Sequence, residues 1–318
     1  MDIEYLLLLQ HFREATGGLL DSFMSYITTY GEEVLTMMLA AAIYWCVSKE
    51  QGTYTLMTWG AGRLVNGFLK ITACVYRPWI RDARIEPLES AKATATGYSF
   101  PSGHTTNATA VYGSIAMNRK SGKLLRGAMI LMIVLVAFSR NYLGVHTPQD
   151  VIVGFAVTAC ILVFMKWLLK KAEESPYLDT VILAVGLILN ILVIIYATAK
   201  NYPMNYDSAG ELIVDPAKMA KDTYKGCGFS MAVLISWFID RRWLRFEPSG
   251  TAIQRTGQYA AGIIGYFVVL YVIVPLMPSN IFGAIMDRFI RLIYIMLVVP
   301  GLIKFFGALK SRKKSENI

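Results

Sequence analysis

The chain has 318 residues, of which 55% are hydrophobic and 17% charged, and its formal net charge is +9. Its mean hydropathy of +0.46 exceeds that of ordinary soluble domains. Apolar runs recur along the whole chain, which excludes a membrane anchor joined to a soluble enzyme. We therefore predict an all-α, polytopic transmembrane helical bundle. The basic residues lie mainly in short connectors, so the charge does not indicate nucleic-acid binding.

The predicted elements begin with interfacial amphipathic helices in residues 1–32, and no cleavable signal peptide is indicated. Nine apolar segments then follow, each long enough or nearly long enough to cross about 30 Å of hydrocarbon. They are residues 33–48, 52–73, 104–118, 125–139, 150–170, 179–199, 226–240, 257–276 and 283–306. We divide them into a six-span core (33–199) and an outer loop with a three-span extension (200–318).

The distribution of lysine and arginine predicts the topology. Strict alternation of the spans puts the basic connectors 118–126, 166–174 and 240–245 and the basic C-terminal tail on one side, which should be the cytoplasm. The connectors 74–103, 140–149 and 200–225 then face outwards, and the last should shape the mouth of a site there. The first outer connector contains three arginines, Arg77, Arg81 and Arg84. Arginine is expected on the cytoplasmic side, so their presence here needs a local explanation. We expect an integral protein, in a bacterial plasma membrane.

The four cysteines predict neither a zinc site nor a redox centre, because Cys46, Cys74, Cys160 and Cys227 form no CxxC pair. We interpret them as buried small apolar residues, with a disulfide between Cys74 and Cys227 as the alternative. No HxH, HExxH or carboxylate-rich cluster occurs, so we expect no metal and no cofactor.

Polar residues that the topology does not explain gather at the predicted outer ends of helices. In "KITACVYRP", Lys70 and Arg77 are seven residues apart and so face the same way. The next span opens with "FPSGHTT", and the fourth ends in "SRNYLGVHTPQD". These three stretches bring three cations, two histidines, a serine and a carboxylate to one depth. They include Lys70, Arg77, Ser102, Gly103, His104, Arg140, His146 and Asp150.

Each of these residue types suits a phosphate ligand. Arginine presents a planar fork of donors and lysine a point charge. At Ser102 the chain turns into a helix, whose free N–H groups and positive end favour an anion, and Gly103 lets the backbone approach closely. The sequence therefore predicts a phosphate cradle with His104 at its rim.

The stretch "HTPQD" predicts a helix start that also orients a histidine. Thr147 suits the N-cap, Pro148 the first helical position and Asp150 the third. Asp150 can then reach a ring nitrogen of His146, leaving the other nitrogen as a nucleophile or base. Taken singly, these residues also have purely structural interpretations. An arginine can anchor a helix at the membrane interface, Ser-Gly can form a turn, and Asp150 can act only as a helix cap. His11, in the amphipathic N-terminal stretch, has no predicted function.

The three stretches together resemble the type 2 phosphatidic acid phosphatases, whose signature is K-x6-RP, PSGH and SR-x5-H-x3-D. Residues 70–78, 101–104 and 139–150 match it in order, and the resemblance covers about residues 33–199. It implies a metal-free phosphatase in which His146 attacks phosphorus and Asp150 orients it. It also implies that His104 protonates the leaving oxygen and that the phosphate oxygens are held by Lys70, Arg77, Ser102, Gly103 and Arg140.

Three functions stay open at this point. The first is hydrolysis of a lipid phosphate or diphosphate at the outer leaflet, such as phosphatidic acid, phosphatidylglycerophosphate or undecaprenyl diphosphate. The second is transfer of the phosphoryl group to another lipid. The third is a transporter or scramblase whose cations only bind head groups. The expected partners are the bilayer and the lipid substrate.

Two geometric expectations complete the sequence analysis. Spans 104–118 and 125–139 would cover only about 21 to 23 Å, so the site should lie below the outer surface, open to lipids entering sideways. Arg63, seven residues before Lys70, should line a polar cavity or meet an acid, because an unpaired arginine at mid-membrane is costly. The alternative is that Arg63 snorkels to an interface.

Overall fold

The computed structural model describes residues 2–206 and 209–316, which form an all-α bundle without a β-strand. Fourteen α-helices lie in these residues. They are α1 (Asp2–Ala15), α2 (Asp21–Thr29), α3 (Glu33–Ala42), α4 (Lys49–Ala73), α5 (Pro78–Arg81), α6 (Glu89–Lys92), α7 (Gly103–Ala116), α8 (Lys123–Tyr142), α9 (Pro148–Glu174), α10 (Leu178–Ala199), α11 (Pro216–Ile239), α12 (Ala252–Val268), α13 (Ile281–Ile293) and α14 (Val299–Glu316). Short π-helical segments extend α3, α11 and α12 and join α13 to α14 into one rod.

Every predicted apolar span overlaps a helix of the bundle, and the predicted fold class is confirmed. Five helices in the described part of the chain are long and apolar enough to cross a membrane by length and composition. They are Lys123–Tyr142, Pro148–Glu174, Leu178–Ala199, Ala252–Leu276 and Ile281–Ala308.

Two predicted boundaries are wrong. α8 has 20 residues and is about 30 Å long, so of the two spans expected to be short only α7, with 14 residues, is short. α11 begins at Pro216, so the predicted loop 200–225 ends at residue 215 and its remaining residues are helical. Asp215 caps this helix, since its side chain accepts a hydrogen bond from Ala217 N at 2.9 Å. Asp207 and Ser208 of that loop lie outside the described residues.

Three helices that carry many polar residues, α4, α7 and α11, lie inside the bundle. Eleven of the 14 residues of α7 are buried, against four of the 22 residues of the apolar α10. Threonine, serine and asparagine side chains fill the contacts between the inner helices, as in the hydrogen bond of 2.7 Å between Thr55 and Ser114. The surrounding helices shield these polar faces from lipid. The inner helices can therefore carry polar residues on all sides.

Glycines let α11 pack closely between α4 and α13. A Cβ atom on Gly226 would lie 3.0 Å from the carbonyl oxygen of Arg63 in α4. A Cβ atom on Gly228 would lie 2.0 Å from the carbonyl oxygen of Ile285 in α13, which no side chain permits. The extension is therefore packed directly against the polar centre of the bundle.

The N-terminal helices explain the arginines in connector 74–103. Arg81 pairs with Asp2 at 2.8 Å, and Arg84 pairs with Glu4 at 3.1 Å and with Asp82 at 2.8 Å. Hydrogen bonding to Arg84 lowers the pKa of the Asp82 carboxyl to about 2. Acidic side chains thus neutralise two of the three arginines at this end of the bundle.

The basic connectors meet at the opposite end. Lys166 donates to Met117 O at 2.8 Å, and Arg241 donates to Ala172 O at 2.5 Å. Lys304 of α14 donates to Leu244 O at 2.5 Å. We call this the basic end of the bundle.

The cysteine interpretation is largely wrong. Only Cys227, inside α11, is buried; Cys46 and Cys74 are half-buried, and Cys160 is exposed on the outer helix α9. The alternative disulfide is wrong too, because Cys74 and Cys227 are both free thiols. The Cys74 thiol instead contacts Ile71 O at 3.0 Å, at the C-terminal end of α4.

Candidate active site

His146 lies in the short connector between α8 and α9, where a carboxylate and a guanidinium hold its ring from two sides. His146 Nδ1 is 3.2 Å from Asp150 Oδ2, and His146 Nε2 is 2.9 Å from Arg77 Nη1. A guanidinium can only donate, so Nε2 accepts from Arg77 and Nδ1 donates to Asp150. The ring is thereby fixed in one tautomer, with the lone pair on Nε2.

The predicted helix start after His146 is confirmed. α9 begins at Pro148 with Thr147 as its N-cap, and Thr147 N donates to Asp150 Oδ2 at 2.8 Å. The same oxygen accepts a hydrogen bond of 2.5 Å from Ser99 Oγ. Asp150 is therefore fixed by the backbone and by a neighbouring hydroxyl as well as by the imidazole.

Burial and the neighbouring charged groups together determine whether His146 is protonated. Burial and the adjacent Arg77 guanidinium lower the pKa of the His146 imidazole well below its ordinary value, against the opposing effect of Asp150. The ring is 1% exposed. The ligand-free site thus favours a neutral imidazole, the form that can act as a nucleophile.

Arg77 is less free to bind a ligand than the sequence suggests. Besides His146, it donates to the carbonyl oxygens of Thr96, Gly97 and Val145, at 2.7, 3.1 and 3.0 Å. Most of its donors are therefore used within the chain. In this arrangement Arg77 covers the lone pair of His146 Nε2, so ligand binding has to change that contact before Nε2 can attack.

The N-terminus of α7 forms the opposite side of the site. Ser102 is its N-cap, as predicted, and accepts from Thr105 N at 3.4 Å. The next two N–H groups, of Gly103 and His104, have no hydrogen-bond partner within the described residues. A Cβ atom added at Gly103 would meet nothing within 4 Å. Helix N–H groups therefore face open space, as an anion site requires.

The remaining predicted cations are buried beside these groups. Lys70 Nζ donates to Tyr98 O at 2.7 Å, which leaves two of its three donors. Arg140 donates from Nη1 to Thr28 Oγ1 of α2 at 2.6 Å. Its Nε and Nη2 atoms are buried without a hydrogen-bond partner in the described chain, and so is Nε2 of His104.

A cavity of about 270 Å³ joins these residues. Of the predicted site residues, it is lined by Arg63, Lys70, Arg77, Gly103, His104 and His146. Ser102, Arg140 and Asp150 lie behind this lining, and each is at most 1% exposed. Arg63 also pairs with Glu33 of α3 at 3.5 Å. Within the described residues, no three histidine, cysteine or acidic side chains form a group that could hold a metal ion.

Sequence analysis missed several residues of the site. Ser99 stands within the stretch "GYSFPSGH", but nothing in its spacing marks it as a partner of Asp150. Arg288 and Arg291 of α13 line the cavity from the extension. Two arginines within an apolar span were a signal that could have found them, because such residues face cavities or partners.

The buried geometry is that of an integral membrane protein whose cavity combines an oriented histidine with cationic side chains and free helix N–H groups. The sequence profile of the PAP2 superfamily matches residues 51–174. A second profile, described as PAP2 superfamily phosphatase, transmembrane extension, matches residues 224–307. The chain therefore belongs to the PAP2 superfamily and is an integral membrane lipid phosphatase.

Curated relatives agree with this assignment. The chain is 31% identical over 183 residues to undecaprenyl-diphosphatase BcrC of Bacillus subtilis, covering 55% of this chain and 88% of the relative. It is 30% identical over 148 residues to phosphatidylglycerophosphatase B of the same organism, covering 44% and 68%. An undecaprenyl-diphosphatase of Sulfolobus acidocaldarius is 26% identical over 143 residues. No solved structure matches the chain.

Proposed function

We propose that the protein hydrolyses a lipid phosphate or lipid diphosphate through a phosphohistidine on His146, without a metal ion. The observation that carries the proposal is the His146 ring, with Nδ1 bound to Asp150 at 3.2 Å and Nε2 directed at Arg77 at 2.9 Å beside the cavity. The names of the two Bacillus subtilis relatives, one a diphosphatase and one a phosphatidylglycerophosphatase, support both substrate classes.

In the proposed first step, His146 Nε2 attacks phosphorus and the bond from phosphorus to the leaving oxygen breaks. His104 gives that oxygen a proton. In the second step His104 takes a proton from water, whose oxygen attacks the phosphohistidine and releases inorganic phosphate. Lys70, Arg77, Arg140 and the N–H groups after Ser102 neutralise the charge that develops on the phosphate oxygens. These cations supply the stabilisation that a metal ion provides in other phosphatases.

We also propose that the site faces the extracytoplasmic side. The site lies at the end of the bundle opposite the basic end, and lysine and arginine are enriched in cytoplasmic connectors. In this arrangement residues 33–199 act as the catalytic core, residues 200–318 as an extension that contributes to the cavity wall, and residues 1–32 as helices on the outer face.

Purified protein tests the proposed reaction directly. We expect it to release inorganic phosphate from phosphatidic acid, phosphatidylglycerophosphate and undecaprenyl diphosphate, with activity that survives EDTA. Lipid labelled with ³²P should give a phosphoprotein that is labile to acid and stable to alkali, and that His146→Ala abolishes. Label appearing in a second lipid instead of in inorganic phosphate would show that the enzyme is a phosphotransferase.

A further inference from the structure

A group of three arginines lies in the cavity wall away from the predicted catalytic residues. Arg63 of α4 and Arg288 and Arg291 of α13 line the same cavity as His146 and Lys70. We call these three residues the inner arginines. Two of them come from the extension, which lies outside the matched core profile.

Carboxylates hold the inner arginines in place. Glu33 of α3 contacts Arg288 at 2.5 Å and Arg63 at 3.5 Å. Asp287 contacts Arg291 at 2.5 Å and Arg288 at 2.7 Å. Because these ion pairs are at least 85% buried on both sides, the guanidinium groups are not free to swing along the cavity.

The charges in the wall do not balance. The cavity is lined by five cationic side chains and by three carboxylates, Glu32, Glu33 and Asp222, and Asp287, which contacts two of the inner arginines, adds a fourth carboxylate. Nε of Arg63 and Nε of Arg291 are buried without a hydrogen-bond partner in the described chain. Each inner arginine has a carboxylate partner, but one positive charge of the wall is left over, and because buried excess charge is costly, it favours an anionic ligand in the cavity.

The position of the excess positive charge along the cavity indicates what kind of anionic ligand would fit. Arg63 and Lys70 are on one helix, seven residues and so about 10 Å apart along its axis, with Arg63 closer to the basic end. A lipid whose scissile phosphate lies at Lys70 and His146 extends its tails towards the membrane interior. The inner arginines then lie on the tail side of the scissile phosphate.

We infer that the inner arginines form a subsite for a second anion of the substrate, a phosphodiester separated from the scissile phosphate by a spacer of several bonds. The two phosphorus atoms of a diphosphate share one bridging oxygen and are too close to occupy both positions. A lipid with a terminal phosphate monoester on a glycerol, itself joined through a phosphodiester to diacylglycerol, has a three-carbon chain between its two phosphates, so one phosphate can lie at Lys70 while the long arginine side chains reach the other. This inference rests on the proposed lipid phosphatase function.

The experiment compares three lipids on Arg288→Gln and Arg291→Gln. The lipids are phosphatidic acid, phosphatidylglycerophosphate with the same acyl chains, and undecaprenyl diphosphate. Loss of one charged hydrogen bond should raise KM for phosphatidylglycerophosphate about ten- to a hundred-fold. KM for the other two lipids should change by less than about three-fold, because they place no group on the inner arginines. Activity on phosphatidic acid also reports that each variant is folded.

Lys225→Gln is the matched control. Lys225 lies 3.6 Å from Asp287 but does not line the cavity, so its loss should affect all three lipids equally. Equal losses on all lipids in the arginine variants would show that the ion pairs only join the extension to the core. A larger loss on undecaprenyl diphosphate would overturn the assigned spacing.

A binding measurement separates this inference from the proposed reaction. His146→Ala protein should bind phosphatidylglycerophosphate more tightly than phosphatidic acid by calorimetry, and adding Arg291→Gln should remove the difference. If the unaltered protein hydrolyses none of the lipids, the proposed reaction is wrong, and this binding difference still decides whether the subsite exists. Equal binding of both lipids by His146→Ala protein would overturn it.

Discussion

Single hydrogen bonds decide which nitrogen of His146 is available for chemistry. Asp150 accepts a hydrogen bond from Nδ1–H, and Arg77 donates to the lone pair of Nε2. Arg77 therefore has two roles in the proposed mechanism. It keeps the nucleophile neutral before the lipid arrives and then exchanges its contact with Nε2 for one with a phosphate oxygen.

The two histidines of the site should respond differently to substitution. His146→Ala should abolish turnover of every substrate, because no phosphoenzyme can form. His104→Ala should slow phosphoenzyme formation most for monoester lipids, whose alkoxide leaving groups have a conjugate-acid pKa of roughly 15. A diphosphate or an aryl phosphate has a better leaving group and should lose less. Single-turnover measurements check this, and equal losses for both substrate types would leave His104 as a phosphate ligand only.

The protonation of His146 can be measured without turnover. Because burial and Arg77 lower the pKa of His146, its imidazole should stay neutral at pH values well below 6.5 and gain a proton only in stronger acid. The chain has three histidines, so spectra of ¹⁵N-histidine-labelled protein, assigned with His146→Gln, can follow each ring. Protonation of His146 at pH 6.5 or above would contradict the effect of burial.

At the scale of helices, the close contact of α11 with α13 controls where the inner arginines lie. Gly228→Ala would place a methyl group against Ile285 O, so we expect it to destabilise the protein by about 1–3 kcal/mol and to reduce activity. Gly127→Ala in α8 is the control, because a Cβ atom there meets nothing within 4 Å. Thermal unfolding in detergent measures both, and equal unfolding temperatures would show that the α11–α13 contact adapts.

The bounds of the outer, apolar helices could be predicted from the sequence. The bounds of the inner, more polar helices were harder to predict. The apolar lengths of α9 and α10 mark them directly, and Thr147, Pro148 and Asp150 fixed the start of α9. The first ten residues of α11 include three lysines, an aspartate and a threonine, and the aspartate, Asp222, lines the cavity. A hydropathy pattern follows only the apolar part of such a helix, so its start at Pro216 was missed.

The residues of the candidate site were also only partly predictable from the sequence. Motif spacing was sufficient to place Lys70, Arg77, His104, His146 and Asp150 in one region. It could not pair Glu33 with Arg288, because this contact joins helices from opposite ends of the chain and neither residue belongs to a motif. Tertiary packing determines this part of the cavity.

At the scale of the whole molecule, the two ends of the bundle should lie on opposite sides of the membrane. In a cysteine-free background, Glu89→Cys at the site end should react with a membrane-impermeant maleimide on intact cells. Lys120→Cys, in the connector between α7 and α8, should react only after permeabilisation. Both positions are exposed, so access depends on sidedness alone. The reverse labelling pattern would place the site in the cytoplasm.

The ion pairs between α3 and α13 also have a consequence for biosynthesis. Spans enter the membrane in order during translation, and Glu33 is among the first residues to arrive, whereas Arg288 and Arg291 come with the last span. The residues of the proposed catalytic site are all inserted by then, but one wall of their cavity is missing until that span docks. In a nascent chain Glu33 would therefore have Arg63 of α4 as a partner but not yet Arg288, and the finished pocket would appear only when the α13 span docks.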